Sequence, residues 1–322
     1  MNTPCPLCHQ HTHDVVGKPD ETFTLARCRT CGFVFADPRP SPELLMEFYN
    51  RHSDYNTDPP SLTPEKARKR AKQYAGFIRS FHPGATKILE IGCLHAHMLF
   101  GLRQWGYDVQ GADICERSRQ FAATAYDIRV HEGETPAPEQ ESSYDVLIIS
   151  HVIEHILDPV SFLRQAARFL APDGIIIVET PGLDTPIYKL FKASYNMVRP
   201  PEHISFFDAR TLGKTLEAAG LEPEKTLTYS YLWDQKNILF YGALSFFKSL
   251  GILTALRRKQ NPTTSFGLAA PISVKSGSLF DVAIKMLDYT CRFMNFALYP
   301  IMKRMDAAGL GLMLVAIGRK KS

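Results

Sequence analysis

No stretch of this chain is apolar for long enough to cross a bilayer. The longest such run covers roughly residues 238–247, against the ~18–20 residues a membrane helix needs. The N-terminus, MNTPCPLCHQ, lacks a basic-then-apolar pattern, so nothing in it argues for secretion. Cysteine is scarce, seven residues in 322, and too unevenly placed for a disulfide framework. Neither an excess of charge nor a shortage of apolar residues would keep the chain unfolded, since 45% hydrophobic and 22% charged are ordinary proportions. These absences leave a folded protein expected in the reducing cytoplasm. Its length suits one domain of about 200–250 residues with attachments.

What cysteine there is shows order. Cys5-Pro6-Leu7-Cys8 and Cys28-Arg29-Thr30-Cys31 repeat one spacing, nineteen residues apart. Each Cys-x-x-Cys turns two thiolates toward one point, and two such knuckles complete the tetrahedral S4 set that Zn²⁺ prefers. Cys5, Cys8, Cys28 and Cys31 are therefore the expected ligands of a structural Zn²⁺, because a closed S4 shell leaves no position for water. His9, His11 and His13 read as surface residues. Strands over 23–27 and 33–35, joined by a turn at Gly32, make a zinc ribbon over 1–40. So small a ribbon has too little core to fold alone, and the metal would supply the missing stability.

The net charge of +4 is unevenly spread. Residues 235–322 hold 13 Lys/Arg against 3 Asp/Glu, leaving the rest of the chain at −6 (24 basic against 30 acidic). A basic final quarter suits a nucleic acid, a membrane surface or an acidic ligand, or is a set of solvated helix faces. Within a helical linker region, 41–84, a helix over 64–81 carries Lys66, Arg68, Lys69, Arg70 and Lys72, read as its wet outer side.

From Lys87 the pattern alternates. Strands are expected over 88–91, 107–112, 127–130, 144–150 and 175–179, with helices over 97–105, 117–126 and 160–170 and a turn at 172–174. Strands separated by helices of about ten residues mean a parallel sheet wound on both sides, with ligands beyond the carboxyl ends of its strands. Gly92, Asp113 and the segment from Ser150 to His155 fall there. Asp113, 23 positions after Glu90, is placed to accept hydrogen bonds from ribose hydroxyls. On spacing alone, a nicotinamide dinucleotide and a nucleoside-bearing sulfonium fit equally.

The run ILEIGC (88–93) resembles the first motif of class I S-adenosylmethionine-dependent methyltransferases, and YDVLIISHVIEHILDP (144–159) is similar to their fourth-strand motif. FLRQAARFLAPDGIIIVETPG (162–182) resembles the helix, turn and fifth strand after that motif. PPEHISFFDARTLGKTLEAAGLEP (200–223) resembles the histidine, aromatic pair and helix of one bacterial subgroup, which also carries zinc ribbons and sits among saccharide and natural-product genes. The likeness covers about residues 1–230, and 311–320 resembles the last strand. It implies a Rossmann-like seven-stranded α/β sheet over 85–232 and 306–322, with S-adenosylmethionine as cofactor. By position, Glu90 and Gly92 would hold the amino-acid end of the cofactor, Asp113 the ribose, Ile114 the adenine face and Glu134 the adenine amino group. Ser150 would complete the cofactor site, and His151 and His203 are the candidate bases for a hydroxyl or amine acceptor. Glu154 and His155 would orient the loop.

The motif departs from the family at two positions. Leu94 and Ala96 stand where further glycines are usual, with His95 between them. Because Leu94 demands ordinary backbone angles, either the loop is reshaped and still binds, or binding is weakened or lost. His151-Val152-Ile153-Glu154-His155 also matches the inverted zinc-peptidase pattern, but it leaves a buried strand and meets Asp158-Pro159 too soon to sit on a long helix. A helical insertion, 233–305, precedes the last strand and reads as a lid, as packing, or as a hairpin on a membrane's inner face. The expected activity is methyl transfer to a small-molecule, glycan or lipid-linked acceptor. The rival readings are a zinc-ribbon binding protein with a degenerate cofactor site and a nucleic-acid methyltransferase.

Overall fold

The computed structural model describes residues 3–51, 64–230, 238–250, 286 and 299–321. Along the chain the first elements are β1 (His13–Gly17), β2 (Thr24–Cys28), β3 (Val34–Asp37), α1 (Pro42–Arg51), α2 (Pro64–Phe81), β4 (Lys87–Ile91), α3 (His97–Arg103), β5 (Asp108–Asp113), α4 (Glu116–Tyr126) and β6 (Val130–Glu132). Next come β7 (Tyr144–Ser150), α5 (Pro159–Ala167), β8 (Leu170–Pro181), α6 (Pro186–Phe191), β9 (Ser205–Phe206), α7 (Ala209–Ala218), β10 (Leu221–Tyr229), α8 (Ile238–Ser249) and β11 (Met313–Lys320).

The chain divides into two compact units. One comprises Ser53–Thr180, Leu212–Thr226 and Val315–Ser322. Its frame is a Rossmann-like seven-stranded sheet in the order β10-β11-β8-β7-β4-β5-β6. β4 runs parallel to both β5 and β7, and β7 parallel to β8. Covered on both faces, the central strands are near-continuous apolar runs: Ile88, Leu89, Ile91 and Val146 to Ile149 are all buried. α2 packs on α3 where Gly101 leaves room. A Cβ there would stand 2.6 Å from that of Ala71.

Three boundaries differ from the sequence reading. Asp127 closes α4 in a left-handed conformation (φ 51), so the third strand starts only at Val130. The fifth strand begins at Leu170 and absorbs Pro172-Asp173-Gly174 as a bulge, its register jumping from Tyr144↔Leu170 to Val146↔Ile175. This start also ends α5 at Ala167. The sixth strand covers Leu221–Tyr229. Gly220, with φ +87, ends the preceding helical turn and lets the strand start at once.

The other unit comprises Met1–His52, Pro181–Thr211 and Leu227–Leu314. Here β1, β2 and β3 form an antiparallel ribbon that β9 extends to four strands, with Val34↔Phe206 and Phe35↔Ser205 paired. Phe33 meets Phe207 edge-on at 5.1 Å, and Phe23, Leu25, Phe33 and Phe35 are buried. The ribbon thus takes part of its core from a segment about 170 residues downstream. Of the insertion expected at 233–305, only 238–250, 286 and 299–305 fall among the described residues; they give α8 and a helix that runs on over 299–307.

Candidate active site and cysteine cluster

β8, β7, β4 and β5 are consecutive in the sheet, so their carboxyl ends carry Glu179, Ser150, Glu90 and Asp113 to one edge. Gly92, at the end of β4, has φ +72, and a Cβ on it would stand 2.4 Å from Val152 Cγ2. Both the angle and the space require glycine. The loop beyond overturns one expectation. Leu94 (φ 46) and Ala96 (φ 55) both adopt the left-handed conformation, which glycine takes without strain. Such angles cost a side-chain-bearing residue roughly 1–2 kcal/mol. Asp113 offsets this by accepting a hydrogen bond from Leu94 N–H at 2.7 Å through Oδ2, while Oδ1 accepts from Cys115 N–H at 2.8 Å.

Glu90 is buried and its Oε2 finds no hydrogen-bond partner among the described residues. Burial pushes its carboxyl up to about 8, the nearby charges of Asp113 and Glu179 act the same way, and Arg70 opposes them. Arg70, expected on the wet side of α2, turns inward instead. Its guanidinium donates to Ser150 Oγ and lies 3.5 Å from Glu179 Oε1. Tyr74, one turn on, donates to Glu179 Oε2 and lies 3.0 Å from Ser150 Oγ. The signal is in the spacing: Ala67, Ala71, Tyr74, Ala75 and Ile78 are buried, and position 70 falls on that stripe. Glu179, completely buried, shows in the sequence only as the end of a strand.

His151 succeeds β7 with φ 57. Its Nδ1 lies 3.3 Å from Glu154 Oε1 and its Nε2 3.0 Å from Glu179 Oε1. Thr180 Oγ1 donates to the other oxygen of Glu154 at 3.0 Å. Burial alone would lower the pKa of His151, but its hydrogen bonds to the two carboxylates, and their charges, raise it to about 9. At neutral pH this is an imidazolium with both nitrogens engaged, so it is built to brace the ends of β7 and β8, and must lose a proton before it can accept one. Glu154 and His155 lie on a single 3-10 turn, Ile153–His155, too short to present ligands in the manner of a peptidase helix. Ile114 and Glu134 are exposed, at the ends of β5 and β6.

In the other unit, His203 is buried, with Nδ1 2.7 Å from the Met197 carbonyl and Nε2 3.2 Å from Arg199 Nη2. These partners assign the neutral tautomer with the proton on Nδ1. The four cysteines converge there as well. Their Sγ atoms lie within 4.8 Å of one another, with Cys5–Cys31 and Cys8–Cys28 each at 3.5 Å. Metal–sulfur bonds of about 2.3 Å in a tetrahedron put sulfurs roughly 3.8 Å apart, so this set fits a metal of zinc's size. Gly32 (φ +81) closes the second knuckle, where a Cβ would stand 2.0 Å from Arg210 Nη2.

Residues 42–226 match the model of a family described as "Methyltransferase domain". This is more than half of the chain, and the chain belongs to that family. It is 33% identical over 101 residues to a ubiquinone biosynthesis O-methyltransferase of Caulobacter sp., covering 29% of this chain and 40% of that protein. It is 31% identical over 150 residues to a "Probable S-adenosylmethionine-dependent methyltransferase" of Mycolicibacterium smegmatis, covering 44% and 53%. The chain thus spans about half the length of these relatives. A solved methyltransferase from Archaeoglobus fulgidus aligns at 18% identity over 87% of this chain and 100% of its own, with a TM-score of 0.45.

Proposed function

From membership in that family we propose that the protein transfers a methyl group from S-adenosylmethionine to a small-molecule or saccharide-related acceptor, and that Cys5, Cys8, Cys28 and Cys31 hold a structural Zn²⁺. The observation that carries the cofactor reading is the unpartnered buried carboxyl of Glu90. Glu154 and Glu179 are matched by His151 and Arg70, whereas Glu90 waits for a cation such as the cofactor's ammonium group. When bound, the cofactor supplies a methyl carbon made electrophilic by its sulfonium. Glu90 and Gly92 then receive the amino-acid end, Asp113 takes the ribose while holding the loop at Leu94, and Ser150 lies beside them. Ile114 offers an exposed apolar face for the adenine and Glu134 a carboxylate for its amino group.

In-line displacement needs mostly positioning, so a base is optional for some acceptors. Where one is needed, His151 must first lose a proton, and His203 must first give up the hydrogen bond that Arg199 donates to its Nε2. Relatives named O-methyltransferases make hydroxyl compounds the first acceptors to screen. The binding-protein alternative rests on Leu94 and Ala96 being held to ordinary backbone angles, but both adopt the left-handed conformation. Calorimetric titration of the zinc-loaded protein with S-adenosylhomocysteine tests the reading. Saturable binding that Asp113→Ala weakens at least tenfold is expected, and a folded wild type that binds nothing would refute it. Metal analysis should return one zinc per chain.

A further inference from the structure

Helix α8 is apolar on every face. Its sequence, ILFYGALSFFKS, carries one charge, Lys248, and no acidic residue. A helix of that kind must be covered on all sides or meet lipid. Its inner side is used. α8 packs against α6, Ser245 Oγ accepts from Asn196 N–H at 3.0 Å, and Lys248 Nζ donates to the Val198 carbonyl at 2.6 Å. Its outer side is open, with Phe246 49% and Leu250 57% exposed, and Leu190 on α6 is 74% exposed.

The helix over 299–307 repeats the combination. Tyr299 and Ile301 are exposed beside exposed Lys303 and Arg304, and Lys303 Nζ sits 5.9 Å from the centre of the Tyr299 ring. Among the described residues nine large apolar side chains are exposed, and six of them (Leu190, Phe246, Leu250, Met286, Tyr299, Ile301) lie in this unit between positions 190 and 301. Six of nine in one stretch of the chain is a concentration rather than the usual scatter, and on the packed pair α6 and α8 it includes Leu190 and Phe246. No helix among the described residues is long and apolar enough to cross a membrane; α8, with 12 residues, is about 18 Å long.

We propose that this helical surface docks on an anionic lipid membrane, lying in the interface without spanning it. Charge chooses among the occupants. Residues 235–314, the part of the basic segment in this unit, carry 10 Lys/Arg against 3 Asp/Glu, and acidic headgroups complement that excess. A second copy would bring the same basic segment against itself, because a two-fold interface pairs like patches. The inference stands apart from the methyl-transfer reading.

The test is co-sedimentation of the full-length protein with vesicles containing about one-third phosphatidylglycerol in phosphatidylcholine, against pure phosphatidylcholine, at low and high salt. Binding at least tenfold stronger to the anionic vesicles, and weakened by salt, is expected. Phe246→Ser with Leu250→Ser should lower it tenfold or more, and Lys303→Glu with Arg304→Glu severalfold. Both double variants should keep the wild-type melting temperature and S-adenosylhomocysteine affinity. No binding, or equal binding to neutral vesicles, would overturn the proposal. So would a dimer seen by light scattering that the Phe246/Leu250 variant dissolves, since that would give the surface to a second copy.

Discussion

The cysteine cluster and the strand-end site are both buried centres with excess negative charge, and they are balanced in opposite ways. With the proposed zinc bound, four thiolates would carry −2, and the surface beside the second knuckle brings Arg27, Arg29 and Arg210 with Asp14 against them. That centre would find its counter-charge within its own unit, which is what a structural site needs. At the strand ends Glu179 is paired with Arg70 and His151, and Glu154 with His151 and the nearby charge of His155, whereas Glu90 Oε2 has no hydrogen-bond partner among the described residues. One carboxyl is left over, and it stays neutral by holding a proton. A centre complete in itself stabilises; a centre one cation short is arranged to bind.

The contrast breaks first at the metal. Cys28→Ser, or chelation, should cost about 5 kcal/mol or more and lower the melting temperature by roughly 10–20 °C. Scanning calorimetry with and without zinc reads this, and an unchanged melt would show that the knuckles are not structural. Next comes Gly92→Ala, whose Cβ meets Val152. A loss of S-adenosylhomocysteine affinity of 100-fold or more is expected by calorimetry.

Glu90→Gln sharpens the contrast. With the Glu90 carboxyl raised to about 8 in the ligand-free protein, a cationic ligand competes with its proton. Affinity for S-adenosylmethionine should then rise by up to about tenfold per pH unit from pH 6 toward 8, and the glutamine variant should flatten that slope. The same shift makes the ligand-free fold hold a proton that the unfolded chain releases. Stability should therefore fall as pH rises from about 4.5 to about 8, measured by urea melts across that range.

Glu179→Gln should return the His151 pKa from about 9 toward 6.5, tracked by NMR of the ring. In the wild type this histidine contributes stability that is complete below about 6.5 and lost as pH rises through about 9. The smallest effect belongs to Leu94→Gly. Relief of the left-handed strain and loss of a half-buried side chain oppose each other, so stability should move by about 1 kcal/mol or less. Cofactor affinity should change less than threefold.

The two sites also differ in how far the sequence discloses them. The four cysteines recur at one short spacing that joins each pair, and the pairing of β1 with β2 brings the two pairs together. Glu90, Gly92 and Asp113 are legible because a strand must end where its apolar run ends. Arg70 and Glu179 are not, since a basic run on a helix reads as solvated until the sheet beneath it is known. Leu94 misleads for a different reason: residue preference predicts the average backbone angle, whereas the hydrogen bond that Leu94 N–H donates to Asp113 holds the actual one. The ribbon reads as self-contained because its pairing partner, β9, is two residues long and leaves no periodicity to detect.

That partner has a consequence in time. Phe35 pairs with Ser205, so during synthesis the edge of β3 waits for some 170 further residues. At roughly 5–20 residues per second, the wait is roughly 10–30 s. All four thiols have left the ribosome long before then. Capture of the proposed zinc can therefore precede closure of the sheet, and the aromatic edge of β3 stays unpaired on every nascent chain until β9 emerges.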